Sequence, residues 1–526
     1  MNTIREIGTI RKKWRDRLPI ALVFPHLYSV GMANLGFLSL YETLNREEDL
    51  VCERFFWSED LSRLRSLESE RPLRDFALVL FSVPFEADYP RVLQILLAAG
   101  LPLNPRKRRL PVLAGGIALW LNPRPLFPFL DGFLLGELEA LNRALIEALR
   151  KGGENKPLLL EQLSRVPGFL HPEGPFPVNI AKAPELRRPL VSHLRSPEAE
   201  FGECQLVEVT RGCGQGCRFC AAGYLYRPPR RPPADTFPEI FSELAPGVKV
   251  GLIGLEFLPQ EEIVTFAREL LRRGHGLSFS SLRVDALREE LKELFSGTRT
   301  LTLAPEAGSP RLRRIINKRL PEETILSAAR RLKTWPVRRL KLYFMFGLPG
   351  ETEEDLRAIA QLAGKIRELS GKEITVSLSP FVPKPWTPFQ WARFEDPEIL
   401  KKKARFLKRL LLRQGIRVSL ESVRMARLQA LLSRGKEDLA PLLTGLARGE
   451  PLSRLLRTPP DSIRPIFSGF EPGSPLPWEE VVRTGLDRDF LFQEWEKALR
   501  AEESPPCPST RKCRRCGACL TLYGSS

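Results

Sequence analysis

No stretch of this 526-residue sequence approaches the roughly 18 uninterrupted apolar residues that a membrane-spanning helix requires, so a membrane-embedded protein is not expected. The first residues, Met1 to Asp16, are rich in Arg and Lys, but they lead into Ile20-Ala21-Leu22-Val23-Phe24, too short and wrongly flanked for a secretory signal. A cytoplasmic location is the resulting expectation. Histidine is scarce, with four in the chain, and cysteine is confined: of nine, all but Cys52 and Cys204 fall into two tight groups. In a chain kept in a reducing compartment, such grouping points to metal or cluster binding before disulfides. No repeat emerges at solenoid periods.

What is present is an ordinary globular composition, 43% hydrophobic, in a chain long enough for three or four domains. The formal charge of +18 suits a polyanionic partner such as RNA, whose counterions Lys and Arg would release, and equally suits a solvated basic surface.

Short apolar runs alternate with helical patterns through residues 1–165. Ile20–Phe24, Phe76–Val83, Pro111–Ala114 and Gly132–Leu135 read as buried parallel strands, with Arg91–Ala99 and Glu137–Leu149 as helices. A doubly wound, Rossmann-like α/β domain is expected, with Gly115-Gly116 at a strand end where such sheets place a ligand crevice. Residues 166–198, dominated by Pro, Gly and charge, read as a linker with little core of its own.

From 199 to 397 six further apolar runs recur: Leu206–Val209, Val248–Leu255, Leu277–Leu282, Thr300–Leu303, Leu340–Phe346 and Ile374–Leu378. Helical patterns at Glu262–Arg272, Ala286–Phe295, Glu322–Leu332 and Glu354–Leu369 separate them, which suits an incomplete (β/α)6 barrel open along one side. The proline-rich run Phe381 to Phe389 should be extended and cross a surface or the barrel mouth. Residues 398–500 read as a basic helical region, with Lys401, Lys402, Lys403, Arg405, Lys408, Arg409 and Arg413 close together, and 501–526 as a Cys-rich metal-binding tail.

Cys213-Gly214-Gln215-Gly216-Cys217-Arg218-Phe219-Cys220 gathers three thiols in one glycine-containing loop after a strand-like run. Three cysteines on a four-iron cubane leave one iron without a protein ligand, and chemistry would occur there. A structural zinc with Cys204 as fourth ligand is the competing reading; zinc wants four closed ligands, and Cys204 should lie at the opposite end of the strand. The C-x3-C-x2-C spacing, with Phe219 before the third cysteine, resembles the signature of the radical S-adenosylmethionine superfamily. That resemblance implies a 4Fe-4S cluster on Cys213, Cys217 and Cys220. Its open iron would chelate S-adenosylmethionine, and one-electron cleavage would give methionine and a 5′-deoxyadenosyl radical. A reductant such as ferredoxin or flavodoxin is then an implied partner.

The same resemblance extends to later strand ends. Gly254 and Glu256 stand where the superfamily has its turn for the methionine amino group. Ser280-Ser281-Leu282-Arg283 ends the third strand and places Arg283 for the carboxylate, while Glu306 or Ser309 falls to the ribose and Gly347 to the adenine side. Each has a plain structural alternative as a salt bridge, cap or turn. The domain order, with Leu113-Ala114-Gly115-Gly116 and Phe129 to Glu137, resembles the cobalamin-domain class. Methyl transfer would follow if cobalamin were held; the Asp-x-His-x-x-Gly motif is absent, and His26 is the one candidate ligand near that domain's first strand.

At the end stand Cys507, Cys513, Cys516 and Cys519, able to close either a second 4Fe-4S cluster or a tetrahedral zinc. The alternative to a radical enzyme acting on RNA, another macromolecule or a metabolite is a basic nucleic-acid-binding protein with structural metals.

Overall fold

The computed structural model describes residues 4–256, 258–279, 282–457, 463–508 and 510–524. Its first sheet has the order β2-β1-β3-β4-β5-β6, built from β1 Leu18–Phe24, β2 Leu50–Phe56, β3 Leu78–Ser82, β4 Val112–Gly115, β5 Gly132–Leu134 and β6 Phe169–Leu170. All pairs are parallel except β5 with β6. The chain starts near the middle of the sheet and winds outward in both directions, the doubly wound arrangement expected from the alternating pattern. Ile20 to Phe24 are fully buried, because helices cover both faces.

β2 was not among the expected strands, and the reason lies in Glu53 and Arg54, which break its apolar run. Both are buried. Arg54 sits 2.7 Å from Glu6 and 2.7 Å from Glu68, so its charge enters the core only because two carboxylates accompany it. The segment 166–198 is likewise not the coreless linker expected. It supplies β6, and its β7, Val178–Asn179, pairs with β15, Val482–Arg483. Leu170, Ile180, Val191 and Leu194 are spaced too widely to show a period, yet each is buried against a neighbouring element.

The second region adds β8 Cys204–Glu208, β9 Lys249–Ile253, β10 Gly276–Phe279, β11 Thr300–Glu306, β12 Arg339–Phe346, β13 Glu373–Pro380 and β14 Arg417–Leu420. They form two parallel sheets, β10-β9-β8 and β11-β12-β13-β14, joined by a parallel bridge between Leu282 and Leu303. Neighbours in space are neighbours in sequence, as they must be where every crossover helix covers the same face. All six expected strands form. A seventh, β14, falls in the stretch read as helical: the helix Pro397–Arg413 ends at Gly415, whose φ of +67° turns the chain into an exposed edge strand. The expected helix over Ala286–Phe295 is instead two 3-10 segments, Val284–Ala286 and Glu289–Phe295.

The proline-rich run does not cross a surface. Phe381 and Phe389 are buried, and the Phe389 ring meets Phe381 and Trp495 edge-on at 5.5 and 5.8 Å. It is interior because Trp495 belongs to the helix Arg488–Leu499, which lies over it. Among the described residues no helix is long and apolar enough to cross a membrane.

Candidate functional site

The loop from Cys213 to Cys220 follows the C-terminal end of β8, the end at which α/β proteins place their chemistry. Its shape is fixed by partners from distant parts of the chain. The Gly216 carbonyl accepts from Asn317 Nδ2 at 3.0 Å and from the Tyr224 hydroxyl at 3.1 Å, and Gly216 itself has φ +73°. The Gln215 carbonyl accepts from Arg319 Nη2 at 3.1 Å. Arg218, fully buried, turns away from the thiols to bond the carbonyls of Arg314 and Ile315 at 3.1 and 3.0 Å and the Glu494 carboxylate at 3.2 Å. These bonds hold the glycine-containing backbone of the loop in one conformation.

Burial pushes the Cys213 thiol up to about 12, with Glu256 adding to the effect, and the Cys220 thiol up to about 11. Such thiols stay protonated until a cation replaces the proton, the usual condition of a metal ligand before its metal. Among the described residues no three His, Cys, Asp or Glu side chains converge on a single-ion position. Cys204 is buried at the far end of β8, opposite Lys249, and does not approach the loop.

Several of the residues expected from sequence do gather here. Glu256 accepts from the Gly214 amide at 3.3 Å and from the Gln215 amide group, and lies 3.7 Å from Cys213 Sγ. Arg283 forks onto Asp285 at 2.7 and 3.0 Å, with Cys217 and Glu256 among its charge neighbours. Glu306 meets the buried Lys318 at 3.4 Å, and Cys217 acts on the same ammonium. Phe219 is partly buried against the apolar cluster that includes Leu348 and Phe381.

Others are placed differently. Ser309 caps the helix Pro310–Ile315 by accepting from Leu312 N at 3.1 Å, and its hydroxyl is given to Asp355. The helix-cap role therefore accounts for it. Gly347 has φ +81°, and a Cβ there would stand 2.6 Å from Leu400, so the glycine answers to the helix Pro397–Arg413. A Cβ on Gly254 would meet Thr210 Oγ1 at 2.4 Å, which makes it a close contact between the ends of β9 and β8. Ser280 and Ser281 lie outside the described residues.

Asn317, Lys318 and Arg319 were not singled out from sequence. Asn317 and Arg319 hold φ of +52° and +47°, and Glu306 holds +68°. Non-glycine residues in this region carry a conformational cost and concentrate at functional sites. The available signal was the dense run of charged and amide residues from Arg311 to Arg319.

A second feature lies between the two α/β regions. A crevice of about 440 Å³ opens at the ends of β3, β4 and β5, lined among others by Ser82, Gly116, Leu134, Glu139 and Arg211. Gly116 has φ +118°, and a Cβ there would strike the Val83 carbonyl at 2.4 Å. Two buried polar atoms of lining residues, Ser39 Oγ and Trp120 Nε1, have no hydrogen-bond partner among the described residues. His26 is not among the lining residues; burial lowers it to about 4, and its Nδ1 accepts from the Leu27 amide.

A family model described as the Radical SAM superfamily matches residues 207–363, and one described as Radical SAM proteins, N-terminal, matches 36–172. An uncharacterized protein of Methanocaldococcus jannaschii is 30% identical over 434 residues, covering 81% of this chain and 90% of its own length. An uncharacterized methyltransferase of Pyrococcus horikoshii is 26% identical over 255 residues, 45% of this chain and 54% of that protein. Among solved structures, a cobalamin-dependent S-adenosylmethionine radical enzyme, OxsB, superposes with a TM-score of 0.47 and 16% identity over 66% of this chain and 52% of its own.

Proposed function

This chain belongs to the radical S-adenosylmethionine superfamily, and we propose that Cys213, Cys217 and Cys220 are the residues with which it carries that superfamily's cluster. The observation behind the assignment is the loop itself: three thiols within eight residues of backbone at a strand end, shaped by Asn317, Tyr224 and Arg319. A 4Fe-4S cluster there, with S-adenosylmethionine on its open iron, supplies one-electron cleavage to methionine and a 5′-deoxyadenosyl radical. Glu256, already accepting from two N–H groups, offers a carboxylate to the ammonium of the methionine moiety. Arg283 would offer a guanidinium to its carboxylate by exchanging Asp285 for it, and Glu306, beside Lys318, would accept from the ribose hydroxyls. Phe389, buried edge-on to Trp495, donates its amide to the Arg218 carbonyl at 3.3 Å and so backs the loop with an apolar ring. We read β8 to β13, with β14 added, as the incomplete barrel of this superfamily.

The reading is tested by anaerobic reconstitution with iron and sulfide, reduction, addition of S-adenosylmethionine and assay for 5′-deoxyadenosine. Product that vanishes in Cys217→Ala supports it, and a reconstituted protein that makes none overturns it.

The N-terminal doubly wound domain ahead of the radical domain is the order of the cobalamin-domain class, and its crevice, with two unpartnered polar atoms, supports a bound small molecule. None of the described lining residues is a histidine, so a cobalamin held here would take no imidazole from this lining as a ligand to cobalt. The cobalt content of protein reconstituted with hydroxocobalamin decides whether methyl transfer is open to this chain.

For the substrate, an RNA or other anionic macromolecule is supported by the charge of +18 and by Lys401, Lys402, Arg405, Lys408, Arg409 and Arg413, exposed along one helix. Lys403 is engaged instead with Glu351 at 2.7 Å. RNA affinity should fall steeply and linearly in log[salt]; a flat dependence would exclude this substrate class. A low-potential donor of the ferredoxin or flavodoxin kind completes the requirement.

A further inference from the structure

The terminal cysteine tail folds back onto the first cysteine loop. The Cys507 amide donates to the Gly214 carbonyl at 2.7 Å, and Ser504 N donates to Asn317 Oδ1 at 2.9 Å, the same Asn317 that holds Gly216. Arg218, between Cys217 and Phe219, bonds the Glu502 carbonyl at 2.8 Å. A side chain on Gly214 would lie 3.4 Å from the Cys507 carbonyl, so the two backbones are in van der Waals contact.

Three of the four terminal cysteines fall within the seven residues from Cys513 to Cys519, with Cys507 six residues before them, and Cys516 and Cys519 are buried. Gly517, with φ +81°, lets the chain turn between Cys516 and Cys519 against the Gly485 carbonyl.

Their spacing admits both metals, and it leans towards iron-sulfur once the fold sets Cys507 against the first loop. Structural zinc sites usually take their ligands as two short pairs. Here Cys513, Cys516 and Cys519 form C-x2-C-x2-C, and the remote ligand is Cys507-Pro508. Bacterial ferredoxins build a cubane from such a triple plus a remote cysteine followed by proline. Each iron of a cubane takes one thiolate, so the ligands must surround a volume instead of converging on a point.

We propose that Cys507, Cys513, Cys516 and Cys519 hold a second 4Fe-4S cluster, set against the first through the Cys507–Gly214 contact and serving as the way in for its electron. This rests on the assignment of Cys213, Cys217 and Cys220 to the first cluster. A low-potential one-electron donor protein is oxidised by one electron as the terminal cluster goes from 2+ to 1+. Passing that electron to the first cluster returns the terminal one to 2+. The exposed Arg511, Lys512 and Arg514 suit an acidic donor.

Two complementary variants test it. In C213A/C217A/C220A, reconstitution should leave about four irons and four sulfides per chain, with a reduced-cluster EPR signal that S-adenosylmethionine does not perturb. Zinc in their place, or no metal, overturns the proposal. C513A/C516A should keep a single cluster whose EPR signal does respond to S-adenosylmethionine; if it does not while the triple variant is loaded, the first assignment fails instead. In doubly reduced wild-type protein the signals should be broadened by mutual coupling, and a simple sum of the two variants' spectra would overturn the placement. Reduction of the first cluster by reduced flavodoxin should slow at least about tenfold in C513A/C516A, and an unchanged rate would sink the electron-transfer role.

Discussion

Arg211, which precedes the first loop cysteine by two residues, lies 3.2 Å from Glu137 at the start of the helix Leu138–Gly152. The same guanidinium bonds Glu139 and Glu208 at 2.7 Å, and Arg230 bonds Glu137 at 2.6 Å. Two cations and three carboxylates thus tie the crevice-bearing domain to the cysteine loop.

Arg211→Ala should be strongly destabilising, because Glu208, almost fully buried, would keep its charge without a partner. Breaking a buried pair on one side costs about 3–5 kcal/mol, read as a lower urea midpoint for the transition that includes both regions. Arg211→Lys should recover part of this, since an ammonium cannot fork onto three carboxylates. An unchanged midpoint in the alanine variant would show that the network contributes nothing.

Glu256→Gln should weaken S-adenosylmethionine binding more than it slows turnover. Hydrogen bonds to charged groups are worth about 1.5–3 kcal/mol, so the KM should rise by roughly 10- to 100-fold with a smaller change in kcat. Isothermal binding to the reconstituted protein checks it independently. Equal affinity in both proteins would remove Glu256 from the site.

His193 links the strand region around β8 to the helix Leu35–Arg46: Nδ1 is 2.9 Å from Glu42 and Nε2 is 3.3 Å from Glu243. The Glu42 hydrogen bond raises its pKa above the ordinary value of 6.5. A raised folded-state pKa means that the stabilisation is fully present below the unfolded value and is lost as pH climbs through the folded one. His193→Gln should therefore destabilise most near about pH 5.5 and become indistinguishable from wild type at about pH 8.5. A pH-independent difference would show that the imidazolium charge is irrelevant.

Gly308→Ala should disturb the site from below. Its Cβ would stand 2.2 Å from Ile359 N and 2.5 Å from the Ala358 carbonyl carbon, backbone atoms of the helix Glu353–Ser370 that cannot rotate away. Overpacking of this kind costs about 1–3 kcal/mol and should shift Glu306 two residues before it, lowering 5′-deoxyadenosine yield as well as stability. Gly297→Ala, with nothing within 4 Å of the added methyl, is the control expected to be near neutral.

Much of the architecture was legible because parallel strands buried on both faces read as short apolar runs, as β1, β3 and β4 do, while β12 and β13 largely alternate buried apolar with part-exposed polar positions. Where burial was achieved by other means the pattern failed. β2 carries a compensated Arg54, and residues 166–198 contribute isolated apolar side chains to cores they do not own.

The proposed ligands Cys213, Cys217 and Cys220 were legible in the sequence alone, because three cysteines within eight residues need only a local turn of a glycine-containing loop to bring their thiols together. The terminal group was legible for the same reason. Its meaning was not: the contact of Cys507 with Gly214, the bridging by Asn317 and the anchoring of Arg218 join residues from opposite halves of the chain. Spacing encodes only what local geometry can enforce. Glu306, Lys318 and Arg319 become neighbours of the thiols only once seven strands have set their ends on one side, and that arrangement belongs to the tertiary structure.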